Sequence, residues 1–174
     1  MTVEEYLEFE KTSEVRHEFV DGKLFAMAGE TLVHDDIVLN IVEILRPQAR
    51  AKSCKLHATN IQTQVKGTRY RYPDIVVTCE TIHNPRLIEA PCFILEVLSD
   101  TTSDVDHGAK LEEYRRISSM QRYAIVSQKI RQVIVYQRNN EHWDFNVLLE
   151  NGEFDIPCLA TTLSLEQIYV NLEF

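Results

Sequence analysis

No stretch of this sequence reaches the ~18 consecutive apolar residues that a membrane-spanning helix needs. The opening MTVEEYLEFE also lacks a basic segment followed by an apolar one, so no secretory leader is expected and the cytoplasm is the expected compartment. Glycine and proline are sparse, five of each in 174 residues, which excludes collagen-like and low-complexity classes. Positive charge is in short supply: 18 Lys and Arg against 27 Asp and Glu give a formal charge of −9. That balance argues against a broad phosphate-gripping surface, while leaving room for a local basic patch or a site whose metal ions offset carboxylate repulsion. The four cysteines, Cys54, Cys79, Cys92 and Cys158, form no CxxC pair, and two lie in apolar runs. Buried free thiols are therefore expected, rather than a disulfide scaffold or a zinc ribbon.

What is present is an apolar fraction of 44% with 26% charged residues, the composition of a globular chain of one-domain length. The expected unit is a single domain over residues 1–174, α/β, with a mixed β-sheet. Val3–Glu10 reads as a short helix with Tyr6 and Leu7 facing inward. Val15–Val20 and Lys23–Ala28 flank Asp21–Gly22, a strong two-residue turn signal, and form an N-terminal β-hairpin. Thr31 can cap a long helix whose apolar stripe is Ile37, Ile41, Ile44 and Leu45. Pro47 is expected to end or bend that helix near Arg46. Lys55–Gln64 reads as extended, Arg69–Thr78 leads into the short strand DIVV, and Asn84–Pro91 reads as a loop. Cys92–Leu98 has the near-continuous apolar character of a central strand covered on both faces. A helix over Asp104–Ile117, strands at Tyr123–Val126, Val133–Tyr136 and Trp143–Leu149, and a short helix at Leu163–Leu172 complete the chain.

Two acids stand where carboxylates are expensive. Asp74 opens DIVV directly after Pro73, and Glu96 interrupts the apolar run FILEVL. Burial of an ionised carboxylate requires hydrogen bonds, a basic partner or a metal. Two acids at the ends of adjacent strands can converge on Mg²⁺, which prefers oxygen ligands and keeps several waters. Lys110, on the helix after the Glu96 strand, is the leading lysine for orienting a water and offsetting developing charge. Simpler roles stand beside these: Asp74 capping a turn, Glu96 in a structural salt bridge, and Asp106, Lys110 and Tyr114 as a solvated helix stripe. Glu18 is either part of a site or a surface partner of Arg16, and His34 either supports a metal or phosphate or is an ordinary helix-terminal residue. Arg69 and Arg71 alternate along an extended segment and could share a face toward a nucleic-acid backbone.

The segments RHEFVDGKLFAMAG, LVHDDIVLNIVEIL, RYRYPDIVVTC, FILEVLSDTTSDVDHGAKLEEYRR and MQRYAIVSQ, in that order, resemble the Uma-type restriction endonuclease family, abundant in cyanobacteria and part of the PD-(D/E)xK nuclease superfamily. The resemblance runs from about Glu4 to Leu172. It implies a restriction-endonuclease-like mixed sheet flanked by helices, homodimer formation, a DNA substrate, and a site using Mg²⁺, with Mn²⁺ as the alternative. By this correspondence Asp74 and Glu96 are the metal-binding acids and Lys110 the catalytic lysine, because Leu98 occupies the position where the superfamily usually has one. Glu18, His34, Asp106 and Tyr114 match supporting positions, with Asp106 orienting Lys110. The chain departs from the family at Asp100, where EVLSDTT stands for the usual EVLSPST. Two other functions remain open: a noncatalytic interaction protein on the same scaffold, and a hydrolase of a small phosphoester, which an enclosed pocket would favour.

Overall fold

The computed structural model describes residues 1–98 and 104–174; side chains at positions 66 and 104–107 lie outside the description. Helix α1 (Val3–Thr12) begins at Thr2, whose hydroxyl accepts from the Glu5 N–H while the Glu5 carboxylate accepts from the Thr2 N–H. Strands β1 (His17–Val20) and β2 (Lys23–Ala26) form the hairpin. Asp21 and Gly22 both have positive φ, 48° and 91°, the backbone that a two-residue hairpin turn needs to match strand twist.

Helix α2 (Leu32–Ala51) starts at Thr31, whose hydroxyl accepts from the His34 N–H. It runs through Pro47 to Ala51 and does not end near Arg46 as the proline led us to expect. Pro47 and Glu43, whose carbonyl would have received the missing N–H, are both exposed, so the lost bond falls on the solvent side of the helix. The buried stripe is Ile37, Val38, Ile41, Leu45 and Ala49.

The extended region after α2 divides into β3 (Lys55–Ala58) and β4 (Gln62–Lys66), which join different sheets. β5 (Arg69–Arg71) and β6 (Ile75–Thr78) follow. The expected loop at 84–91 contains a two-residue strand, β7 (Leu87–Ile88), parallel to β4. β8 (Phe93–Leu98) leads to helix α3 (Asp104–Arg115), then β9 (Arg122–Ser127), β10 (Gln132–Asn139) and β11 (His142–Leu149). β12 (Glu153–Ile156), a 3₁₀ turn at Pro157–Leu159, β13 (Thr161–Ser164) and α4 (Leu165–Ile168) close the chain. The expected C-terminal helix is shorter at both ends: residues 163–164 pair with β12, and the helix stops at Ile168.

The main sheet has the order β11-β10-β9-β8-β6-β3, and a second sheet the order β2-β1-β5-β4-β7. β8 pairs antiparallel with β6 and parallel with β9, so α3 is the crossover of a β-α-β unit. This is the expected mixed α/β class, a sheet core flanked by helices with an N-terminal hairpin. Alternation along β6 and β8 separates two cores. Ile75, Val77, Phe93 and Leu95 pack with the α2 stripe, while Val76 and Ile94 pack with Tyr114, Ile117 and Tyr123 on the α3 side. No described helix is long and apolar enough to cross a membrane.

The cysteine expectation needs correction. Cys54 and Cys79 form a disulfide, while Cys92 and Cys158 are free. The antiparallel register of β3 and β6 pairs Lys55 with Thr78, which sets the two flanking cysteines opposite each other despite a sequence separation of 25.

Candidate active site

Strand parity places Glu96 on the same face of β8 as Ile94, toward α3. Its carboxylate is buried, 6% exposed, and Oε1 accepts a 2.8 Å hydrogen bond from the Tyr114 hydroxyl and a 3.3 Å contact from Lys110 Nζ. Burial pushes the Glu96 carboxyl up to about 7, with Lys110 opposing and the charges of Asp74 and Glu18 adding to the rise. Lys110 Nζ also lies 3.3 Å from Glu18 Oε1, so one ammonium group bridges carboxylates of the hairpin and the central strand. For Glu18, burial pushes the carboxyl up, but Lys110 and Arg71 outweigh it and hold the group below its ordinary value.

Asp74 sits at the bend immediately before β6. Its Oδ2 accepts a 2.7 Å hydrogen bond from the Val97 N–H, tying the entry of β6 to the end of the neighbouring β8. His34 Nε2, from the first turn of α2, approaches the same oxygen at 3.2 Å. Burial lowers the His34 pKa, but the hydrogen bond and charge of Asp74 prevail and leave it raised.

The structure therefore gathers Asp74, Glu96, Lys110, Glu18, His34 and Tyr114 where β6 begins and β8 ends, from the hairpin, the entry to β6, the central strand β8 and two helices. Glu18 pairs with Arg71 and Lys110 and not with Arg16, whose guanidinium turns to Glu10. Tyr114, fully buried and bonded to Glu96, is no part of a solvated stripe. Leu98 packs against the α3-side apolar cluster. The Asp106 side chain and Asp100 lie outside the described residues.

The two arginines expected at a nucleic acid are placed differently. Arg71 is 4% exposed; its Nε and one terminal nitrogen each donate at 2.8 Å to Glu113, and the other donates at 2.6 Å to Glu18. We correct the expectation for Arg71: two buried carboxylates hold its guanidinium away from solvent. Arg69 does share its face, but it pairs with Glu113 and with Asp21, and its side chain remains 29% exposed. Glu113 was missed. Its signal was available, since it lies one helical turn beyond Lys110 on α3.

Asp74 and Glu96 offer only oxygen donors, which suits Mg²⁺. Among the described residues, no trio of carboxylate or imidazole ligand atoms here falls within 4.8 Å of one another. Mg²⁺ commonly takes one or two protein carboxylates and fills its remaining positions with water, so the match here is one of donor type. Cavities of about 590 and 550 Å³ lie elsewhere, the first bounded by Thr78, Glu80, His83 and Ser119, the second by Glu10, Gln62, Tyr72 and Arg86.

Comparison with known proteins agrees with this fold. Residues 3–171 match the model of the Uma2 family, described as "Putative restriction endonuclease". Two Synechocystis sp. proteins are similar: uncharacterized protein slr1290, 26% identical over all of this chain and 94% of its own length, and uncharacterized protein sll1609, 26% identical over 89% and 92%. A crystal structure titled as a putative nuclease belonging to DUF820, from Anabaena variabilis, superposes with a TM-score of 0.81 at 18% identity, covering 97% of both chains. That likeness carries the fold, a restriction-endonuclease-like mixed sheet.

Proposed function

Because this chain belongs to the Uma2 family, we propose that it is a divalent-metal-dependent endonuclease of the PD-(D/E)xK type that hydrolyses DNA phosphodiester bonds. The observation carrying this reading is the placement of Lys110 Nζ at 3.3 Å from both Glu18 and Glu96, beside the strand pair that presents Asp74. Such a cluster is costly for a structural role alone: buried charges stabilise weakly against apolar residues of the same size, and a carboxyl raised to about 7 opposes its own ionisation.

Mg²⁺ held by Asp74 and Glu96, or Mn²⁺ in its place, would polarise the phosphate and make a nearby water more acidic. Lys110 orients the attacking water and offsets the negative charge that grows on the phosphate oxygens. Glu18 holds the ammonium group in position, and Tyr114 fixes the rotamer of Glu96 through its hydrogen bond. His34 and the Val97 N–H orient Asp74 by occupying Oδ2. Arg71 and Glu113 do not face substrate in this reading; they anchor Glu18 so that the hairpin, the central strand and α3 keep one geometry.

The test is cleavage of plasmid, linear duplex and single-stranded DNA with Mg²⁺ or Mn²⁺, with EDTA controls and Lys110→Ala in parallel. The expected result is metal-dependent cleavage that falls by ~100-fold or more in the variant. Equal activity in folded Lys110→Ala, or no cleavage by wild type with either metal, would refute the assignment and leave a noncatalytic interaction role on this scaffold as the better reading.

A further inference from the structure

The four cysteines that looked unrelated in sequence meet at one place. Cys54 follows α2, Cys79 follows β6, Cys92 precedes β8, and Cys158 lies in the 3₁₀ turn after β12. The Sγ atoms of Cys79, Cys92 and Cys158 all lie within 4.8 Å of one another, and Cys54 is bonded to Cys79. None of these residues belongs to the carboxylate site, and the proposed nuclease reaction uses none of them.

We propose that, on reduction of the Cys54–Cys79 disulfide, Cys54, Cys79, Cys92 and Cys158 become a four-thiolate site for a thiophilic divalent ion of the zinc class. A tetrahedral zinc–thiolate centre has Zn–S bonds of about 2.3 Å, which separates its sulfurs by ~3.8 Å. Cys79 and Cys92 stand at 3.8 Å, already an edge of that tetrahedron. Cys54 Sγ lies 3.8 Å from the Cys158 carbonyl oxygen, as does Cys79 Sγ, so both bonded sulfurs already border the turn that carries the fourth thiol. The disulfide blocks the site, since a bonded sulfur carries no negative charge to give the ion. A dithiol reductant opens it: two electrons and two protons pass to the Cys54–Cys79 bond, the reductant becomes its own disulfide, and two thiols result. Metal binding then releases the thiol protons. The ion would clip the end of α2 and the C-terminal β12–β13 ribbon to the main sheet, replacing one covalent tie with a four-armed one.

The experiment uses the full chain, prepared anaerobically with and without a phosphine reductant and titrated with Co²⁺ and then Zn²⁺. The expected result is uptake of one Co²⁺ per chain by reduced protein only, with the near-ultraviolet sulfur-to-cobalt band and intense visible bands of a tetrahedral thiolate site, displaced by Zn²⁺. Cys158→Ser and Cys92→Ser should each weaken binding by ~100-fold or more, beyond the loss usual for a group next to a ligand. If a variant does not fold, alkylation of reduced wild type provides the second measurement: Zn²⁺ should protect all four cysteines together. Cobalt bound with only the weak spectrum of oxygen ligands, binding indifferent to the cysteine variants, or alkylation unaffected by Zn²⁺ would each overturn the proposal.

Discussion

Replacing Glu96 with glutamine should make the metal-free protein more stable in alkaline solution than wild type, while removing a group assigned to the reaction. The Glu96 carboxyl is 6% exposed and pushed up to about 7 from an ordinary 4.5, chiefly by burial. A folded pKa above the unfolded one means that the associated stability is fully present below about 4.5 and is lost as pH rises through about 7. At ~1.4 kcal/mol per tenfold change in acidity, the loss is roughly 3 kcal/mol. Glutamine does not ionise, and its carbonyl oxygen can still accept from the Tyr114 hydroxyl. Between about pH 5 and about pH 8.5 the stability difference should therefore move by roughly 2–3 kcal/mol in favour of Glu96→Gln. Urea unfolding of both proteins in EDTA, in a single redox state, measures this directly. Stability curves that stay parallel across the range, or a gap that moves toward wild type, would show that Glu96 is not a desolvated carboxylate. Mg²⁺ added at the alkaline end should recover stability in wild type more than in the variant.

Arg71→Met leaves Glu18 and Glu113 buried without their shared partner and should cost about 3–5 kcal/mol by urea unfolding, whereas Arg69→Met, at a half-exposed pair, should cost about 1 kcal/mol or less. Equal effects would mean that the Arg71 network is wet. Glu18 provides the opposite pH dependence to Glu96. Its depressed folded pKa contributes stability above the ordinary carboxylate value of 4.5, which is lost as pH falls through the folded value. Glu18→Gln should thus show a shallower fall in melting temperature on the acid side than wild type, and an unchanged slope would remove Glu18 from the ion cluster.

Elements whose signals are local were legible. Asp21–Gly22 fixes its hairpin by backbone sterics alone, Thr31 caps α2 where a hydroxyl must, and Glu96 announces itself by interrupting an apolar strand. Features decided by pairing between distant segments were not. Nothing near Cys54 indicates that β3 will pair with β6 and set Cys79 opposite it. Arg71 looks like a surface cation until β5 is laid against β1, which moves Glu18 beside it, and α3 is packed over both. Pro47 was read by its local penalty, yet a twenty-residue helix with five buried apolar side chains tolerates one missing bond on its wet side. The short pairs β7 and β12–β13 owe their form to neighbours and carry little pattern of their own.

The ion network joining Glu18, Arg71, Lys110 and Glu113 also ties together segments made at different times during synthesis. The hairpin emerges from the ribosome early, but the helix that supplies Lys110, one of the two charge partners of Glu18, follows about 90 residues later, roughly 5–20 s at ordinary elongation rates. Until then Glu18 is best hydrated, and docking the hairpin would strand a carboxylate beside at most one arginine. The network of the hairpin, the central strand and α3 can be completed only after Lys110 and Glu113 have been translated.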